Sequence, residues 1–110
     1  MGRFVRLARE CPRVLPGGAT RRLLAGEKMM LVLMELPPDA PVQMHSHPHE
    51  QIGFVLQGRV RLQVAGEVAE LEPGDAYWVA SGEQHGAQVV GSEPARLVEV
   101  FHPIREDFLE

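Results

Sequence analysis

The sequence has one cysteine, one lysine (Lys28), no asparagine, and aromatic residues at only 5% of its 110 positions. Cys11 has no partner within the chain, so no disulfide staples the fold, and it is expected to be a small buried hydrophobe. Long apolar runs are also missing. Residues 29–34 are six apolar positions before Glu35, against the ~20 that crossing a bilayer takes, so no membrane span is expected. The first ten residues carry Arg3, Arg6, Arg9 and Glu10 where a secretory leader needs an apolar stretch, which points to an intracellular, cytoplasmic chain. Gly2 is followed by Arg6 where the myristoylation pattern wants Ser or Thr. The net charge is −4, and although Arg21-Arg22 and Arg59 with Arg61 are local positive spots, no basic stripe exists to follow a phosphate backbone. Nucleic acid is not an expected partner. There is no internal repeat, linker or low-complexity block, and the length leaves room for one domain whose 45% apolar content suffices for a core.

What is present is a succession of short extended segments. Residues 1–20, with Pro12, Pro16 and Gly17-Gly18, read as an arm holding one short strand near 4–7, the kind of arm that crosses to a partner subunit. Residues 29–36 form an apolar strand buried on both faces and stopped by Pro37-Pro38-Asp39. Segments 52–56 and 60–64 flank Gln57-Gly58-Arg59, and Ala65-Gly66-Glu67 precedes 68–71, which predicts two successive hairpins. Val60, Leu62 and Val64 alternate with Arg59, Arg61 and Gln63, so that segment has one wet face. Pro73-Gly74-Asp75, Ser81-Gly82 and residues 91–94 then separate strands at 76–80, 85–90 and 95–101. Eight or nine short strands without a helical window predict an all-β closed barrel or sandwich.

One stretch, residues 44–58 (MHSHPHEQIGFVLQG), organises the rest. His45, His47 and Gln51 occupy alternate positions of an extended segment bracketed by Pro41 and Pro48, an edge-like or bent strand whose period of two sends all three to one face. Imidazole nitrogens and an amide oxygen there can converge on a cation, and the barrel would bring His85 opposite that row. His49 shares the parity but adjoins Pro48, and a fifth ligand would crowd the open coordination a substrate needs, so it is left outside the set. Glu50 has the opposite parity. Glu99 shares a face with Leu97 and Phe101, and is either a buried carboxylate suited to proton transfer or an acid on an outer face. Arg105 either clamps a substrate carboxylate or pairs at the surface with Glu106 or Asp107. Tyr77 and Trp78 have opposite parity, so at most one lines the cavity. Met29, Met30, Met34 and Met44 read as core filler.

These residues resemble the cupin superfamily. Its first motif runs Gly, five residues, His-x-His, three or four residues, Glu, six residues, Gly, and here reads Asp39, His45-Ser46-His47, Gln51, Gly58. Its second runs Gly, five residues, Pro-x-Gly, two residues, His, three residues, Asn, and here reads Gly74, Ala80-Ser81-Gly82, His85, Val89. The resemblance implies a cupin β-barrel of the jelly-roll, double-stranded β-helix type over residues 29–101, with the arm 1–20 before it and a tail 102–110 after it. It also implies a homodimer, and a divalent transition metal (Zn, Ni, Mn, Fe or Cu) held by His45, His47, Gln51 and His85. Gln51 stands where the family's acid does; a neutral amide leaves the ion's charge uncompensated, so the metal would be more electrophilic and less tightly held.

The ending from Phe101 to Leu109, together with His-x-His-x-His-x-Gln at His45 to Gln51, is similar to the pectin-degradation cupins, which open the ring of unsaturated uronates. In those proteins an acid, a Phe and an Arg stand where this chain has Glu99, Phe101 and Arg105, the acid being Asp rather than the longer Glu. The resemblance implies a metal-dependent enzyme on a small anionic sugar derivative, with Glu99 and Arg105 as catalytic residues and ring opening or tautomerisation of 4,5-unsaturated uronates as the reaction. A non-catalytic sensor of a small molecule or metal, and a metal-dependent dioxygenase, are the alternatives on the same scaffold.

Overall fold

The computed structural model describes residues 3–109. Ten strands run in order: β1 (Arg13–Val14), β2 (Thr20–Ala25), β3 (Met30–Leu36), β4 (Val42–His45), β5 (Glu50–Gln57), β6 (Val60–Val64), β7 (Glu67–Leu71), β8 (Ala76–Val79), β9 (His85–Val89) and β10 (Ala95–His102). Single-turn 3-10 helices at Leu7–Arg9 and Glu106–Leu109 precede and follow them. All pairings are antiparallel and fall into two sheets, β1-β2-β3-β10-β5-β8 and β4-β9-β6-β7. This is the jelly-roll form, two packed sheets and not one ring of hydrogen-bonded strands.

Alternation decides which side chains meet between the sheets. Val55, Ala95 and Leu97 from the larger sheet pack with Val60, Leu62 and Val89 from the smaller one, so one core joins them. A second cluster of Met30, Val32 and Phe101 closes the end of the larger sheet, with Phe108 of the tail packed on it. Arg61 and Gln63 are exposed in alternation with the buried Val60 and Leu62 and the half-buried Val64, which is the wet face the sequence predicts for β6.

The chain changes sheet where the sequence predicts a hairpin. β6 does pair with β7, but β5 pairs with β10 and β8 and not with β6. Gly58, at φ +78°, turns the corner in a position where a Cβ would lie 2.6 Å from the carbonyl oxygen of Pro94. A turn signal is local, and here the distant strand β10 took the edge that β6 would have paired with.

The arm also departs from expectation. No strand forms at residues 4–7; the 3-10 turn at Leu7–Arg9 lies there, and the chain pairs only from β1 onward. Cys11 is exposed and not buried, because it lies in residues 3–14, a stretch with no buried residue, and the arm reaches the core only at Leu15 and Ala19. β2, in a stretch that mixes Arg21-Arg22 with Leu23-Leu24, pairs along its whole length with β3 and extends the large sheet.

Candidate metal centre

The histidine row is assembled from three pieces of backbone and not from one extended segment. His45 ends β4 in the smaller sheet, His47 lies in the connection at residues 46–49, and Gln51 is in β5 of the larger sheet. Pro48 sits in that connection, so the bend the sequence predicts is the passage between sheets. His85 opens β9 and pairs in register with His45. One ring nitrogen from each of His45, His47 and His85 lies within 4.8 Å of the others.

The hydrogen bonds around these rings set their protonation. His45 Nδ1 contacts the Gln43 carbonyl at 2.7 Å, His47 Nδ1 that of His49 at 3.1 Å, and His85 Nδ1 that of Glu83 at 2.8 Å. A carbonyl only accepts, so each Nδ1 carries a hydrogen and each neutral ring keeps a bare Nε2. Burial, aided by the charge on Arg105, brings His47 down to about 4, and burial also lowers His85, so both rings are neutral at pH 7.

That leaves acceptors facing acceptors. His47 Nε2 stands 3.1 Å from His85 Nε2 and 3.1 Å from Gln51 Oε1. The Gln51 amide nitrogen is already donating to Glu99 Oε2, so its oxygen is the end turned to the rings. Three lone pairs converging without a hydrogen between them repel, unless a cation sits among them. A separation near 3 Å is also that of neighbouring ligand atoms around an ion with bonds of about 2.0–2.1 Å. His45, His47 and His85 could therefore hold a metal, with the Gln51 oxygen beside them.

Glu99 is turned inward. β10 places it opposite Gly53 of β5, which in turn faces Tyr77 of β8. Its Oε2 accepts from both the Tyr77 hydroxyl and the Gln51 amide. Burial raises the Glu99 carboxyl, against the opposing pull of those two donors and of Arg105. Tyr77 is raised well above the usual phenol range by its own burial and by the Glu99 charge. Parity left Tyr77 and Trp78 undecided, and the structure assigns Tyr77 to the cavity, while Trp78 is exposed and donates to Glu50 at 2.8 Å.

Gly53 was the overlooked signal. A Cβ there would overlap the Tyr77 ring, so only glycine lets the phenol cross β5 to reach Glu99. Gly53→Ala is expected to destabilise the protein by about 1–3 kcal/mol through overpacking, read by denaturant unfolding.

Of the two roles the sequence left open for Arg105, the structure shows the pairing with Asp107. Arg105 pairs through two contacts, Nε at 3.2 Å and Nη2 at 2.8 Å, and it also lines the cavity. This cavity, of about 250 Å³, is lined by His45, Gln51, His85, Tyr77, Glu99, Arg105 and largely apolar neighbours. His49 stays outside the three-histidine group, with its buried Nδ1 lacking a partner among the described residues.

Residues 32–101 match the Cupin domain family. The chain is a cupin. Among solved structures, an RmlC-like cupin from Shewanella frigidimarina superposes with a TM-score of 0.90 at 28% identity, covering 98% of this cupin and 96% of that chain. KdgF from Halomonas sp. superposes with a TM-score of 0.89 at 28% identity, covering 98% and 99%, so the resemblance to the pectin-degradation cupins holds across the whole fold. A curated relative, the tetracenomycin polyketide synthase protein TcmJ of Streptomyces glaucescens, is 32% identical over 94 residues, or 80% of this cupin. This cupin spans 63% of that relative's length. No helix among the described residues is long and apolar enough to cross a membrane.

Proposed function

We propose that this cupin is a metal-dependent enzyme that opens or tautomerises a small 4,5-unsaturated uronate. The observation that carries the reading is Glu99, a buried carboxylate held by Tyr77 and Gln51 in the same cavity that His45 and His85 line. His45, His47, His85 and Gln51 would hold a divalent ion, which when bound polarises a substrate hydroxyl or carbonyl oxygen.

The chain's own residues supply the rest. Glu99 takes the proton of the anomeric hydroxyl; the bond from that carbon to the ring oxygen breaks, and the electron pair it leaves makes an enolate. Glu99 then delivers a proton to the carbon at the far end of the double bond, which gives a linear keto acid with no net gain or loss of atoms or electrons. Tyr77 fixes the carboxylate oxygen while this happens. Arg105, held flat by Asp107, orients the substrate carboxylate. The apolar walls exclude water from the enolate.

Two features favour catalysis over sensing. Glu99 is turned into the cavity that His45 and His85 line instead of to solvent, and the cavity has room for a small ligand. Its volume is below the ~300–1,000 Å³ of sites for drug-sized molecules, which fits a monosaccharide better than the fused rings of a polyketide. The test is direct: metal-loaded protein mixed with a 4,5-unsaturated uronate should speed loss of the enol-ether absorbance. No acceleration over buffer with the same metal overturns the substrate.

The homodimer expected from the sequence would form through the outer face of the larger sheet. Ile52, Phe54, Leu56 and Trp78 are exposed there on strands that are hydrogen-bonded within the sheet. The face has little charge: its Arg22 and Glu35 pair at 2.7 Å, and its Glu50 accepts from Trp78, so an identical face crossing it meets mainly apolar side chains. A second copy is the occupant that matches it. Phe54→Glu is expected to weaken association by roughly thirtyfold or more, seen by light scattering across a dilution series. A wild type that is monomeric at every concentration overturns the dimer.

A further inference from the structure

The cavity wall carries a second arginine that neither the cupin motifs nor the tail resemblance marks. Arg21 lies on β2, and the sheet register puts Leu23, Val32 and Glu99 in one row and Arg21, Met34 and Leu97 in the next. With a side-chain period of two, Arg21 therefore shares the inward face with Glu99, and it lines the same cavity.

Its surroundings lack one thing. The Arg21 guanidinium carbon lies 3.9 Å from the centre of the Phe108 ring, and that of Arg105 lies 4.2 Å from the centre of the same ring. Stacking on an aromatic face positions a guanidinium but leaves its N–H donors unsatisfied. Arg21 Nε is shut off from solvent and has no hydrogen-bond partner among the described residues. Burial and the charges of Arg13 and Arg105 weaken its hold on its proton, with Asp107 partly offsetting them, so a further anion beside it would be favoured. Arg105 is in the opposite condition, since Asp107 occupies its Nε and Nη2. The arginine that the family resemblance names has much of its donor fork filled, and the unnamed one lines the cavity without an ion pair among the described residues.

We propose that Arg21 anchors an ionised carboxylate of the ligand, at the Phe108 end of the cavity and away from the histidines. The ligand is then a small acid that is carboxylate at one end and oxygenated, by hydroxyl or carbonyl, at the end facing His45, His85 and Glu99. This rests on the uronate reading for the identity of the acid, but the anchoring itself does not require turnover. Arg105 acts beside it as a guide of the approaching carboxylate.

The experiment uses the metal-loaded full chain as wild type, Arg21→Gln, Arg21→Lys and Arg105→Gln. Each is titrated by calorimetry with D-galacturonate, with malonate as a plain dicarboxylate, and with D-galactose as the neutral counterpart, after thermal melting has shown that the variants fold. Arg21→Gln should weaken binding of both acids by about tenfold or more, the scale of one charge-assisted hydrogen bond. Arg21→Lys should recover part of that loss, and galactose should be indifferent to the change. With a turned-over uronate, Arg21→Gln should raise KM far more than it lowers kcat. Equal affinity of wild type and Arg21→Gln for the acids overturns the proposal, and so does failure of both acids to bind wild type. Acid binding that depends on Arg21 without any turnover of unsaturated uronate upholds the anchor and overturns the uronate reaction instead.

Discussion

Glu99→Gln is expected to lower turnover of the unsaturated uronate by about 10²–10⁴-fold, the usual contribution of a positioned general base, while metal retention stays as in wild type. The substitution isolates the proton because the amide oxygen of Gln can still accept from the Tyr77 hydroxyl and the Gln51 amide, as Glu99 Oε2 does now. Geometry is preserved and basicity is lost. The same change should stabilise the metal-free protein at neutral pH. Burial raises the Glu99 carboxyl in the folded chain above its unfolded value. The folded state thus holds the proton after the unfolded state has released it. The stability tied to that proton is complete below the unfolded pKa and is lost as pH rises through the raised folded value. Glu99→Gln removes this slope, so its melting temperature should exceed that of wild type at pH 7 and match it more closely at pH 4. A variant with full turnover would take the proton-transfer role away from Glu99, and one with reduced metal content would show that Glu99 serves the site structurally.

Gln51→Glu is expected to tighten divalent metal retention by roughly 10–100-fold. A unit charge about 4 Å from a doubly charged ion gains about 8 kcal/mol at an effective dielectric of about 20, and desolvation returns most of it. Turnover should fall by about 10²-fold or more in the same variant. The amide works in two directions, its oxygen toward His47 and its nitrogen toward Glu99. A carboxylate in its place sets an acceptor against Glu99, and two carboxylates sharing one site take up a proton between them. Glu99 would then be occupied as a base, and the ion would also be a weaker electrophile. Chelator competition and a turnover assay read the two effects separately. Unchanged retention would remove Gln51 from the ligand set.

How far the sequence reached follows from what its signals can encode. Strands β6 to β10 were legible because turn residues such as Pro73-Gly74-Asp75 and Ala65-Gly66-Glu67 bound short apolar segments, and that information is local. Which strand pairs with which is not local. The Gln57-Gly58-Arg59 turn looks like a hairpin and is a passage between sheets, since β10 outcompetes β6 for the edge of β5. His45, His47, Gln51 and His85 do converge, yet the parity argument that grouped the first three assumed one strand, and the bend at Pro48 breaks that strand while keeping the rings together. Glu99 was legible as inward or outward but not which, because alternation on β10 fixes the set of Leu97, Glu99 and Phe101 and leaves its direction open. Arg21 was hidden for the opposite reason. Two adjacent arginines cannot both face the same way, and nothing in Arg21-Arg22 says which one the sheet will turn inward.

The tail lines the cavity in an unusual way. Arg105 and Phe108 form part of its wall, but they hang from a single-turn 3-10 helix and not from a paired strand. Apart from the strand ladders, the main-chain hydrogen bond recorded for that segment, from Phe108 N–H to the Arg105 carbonyl, is internal to it. Side-chain packing of Ile104 and Phe108 on the Met30, Val32 and Phe101 cluster holds residues 103–109 in place of a strand ladder, so this segment is expected to exchange its amide hydrogens ahead of both sheets.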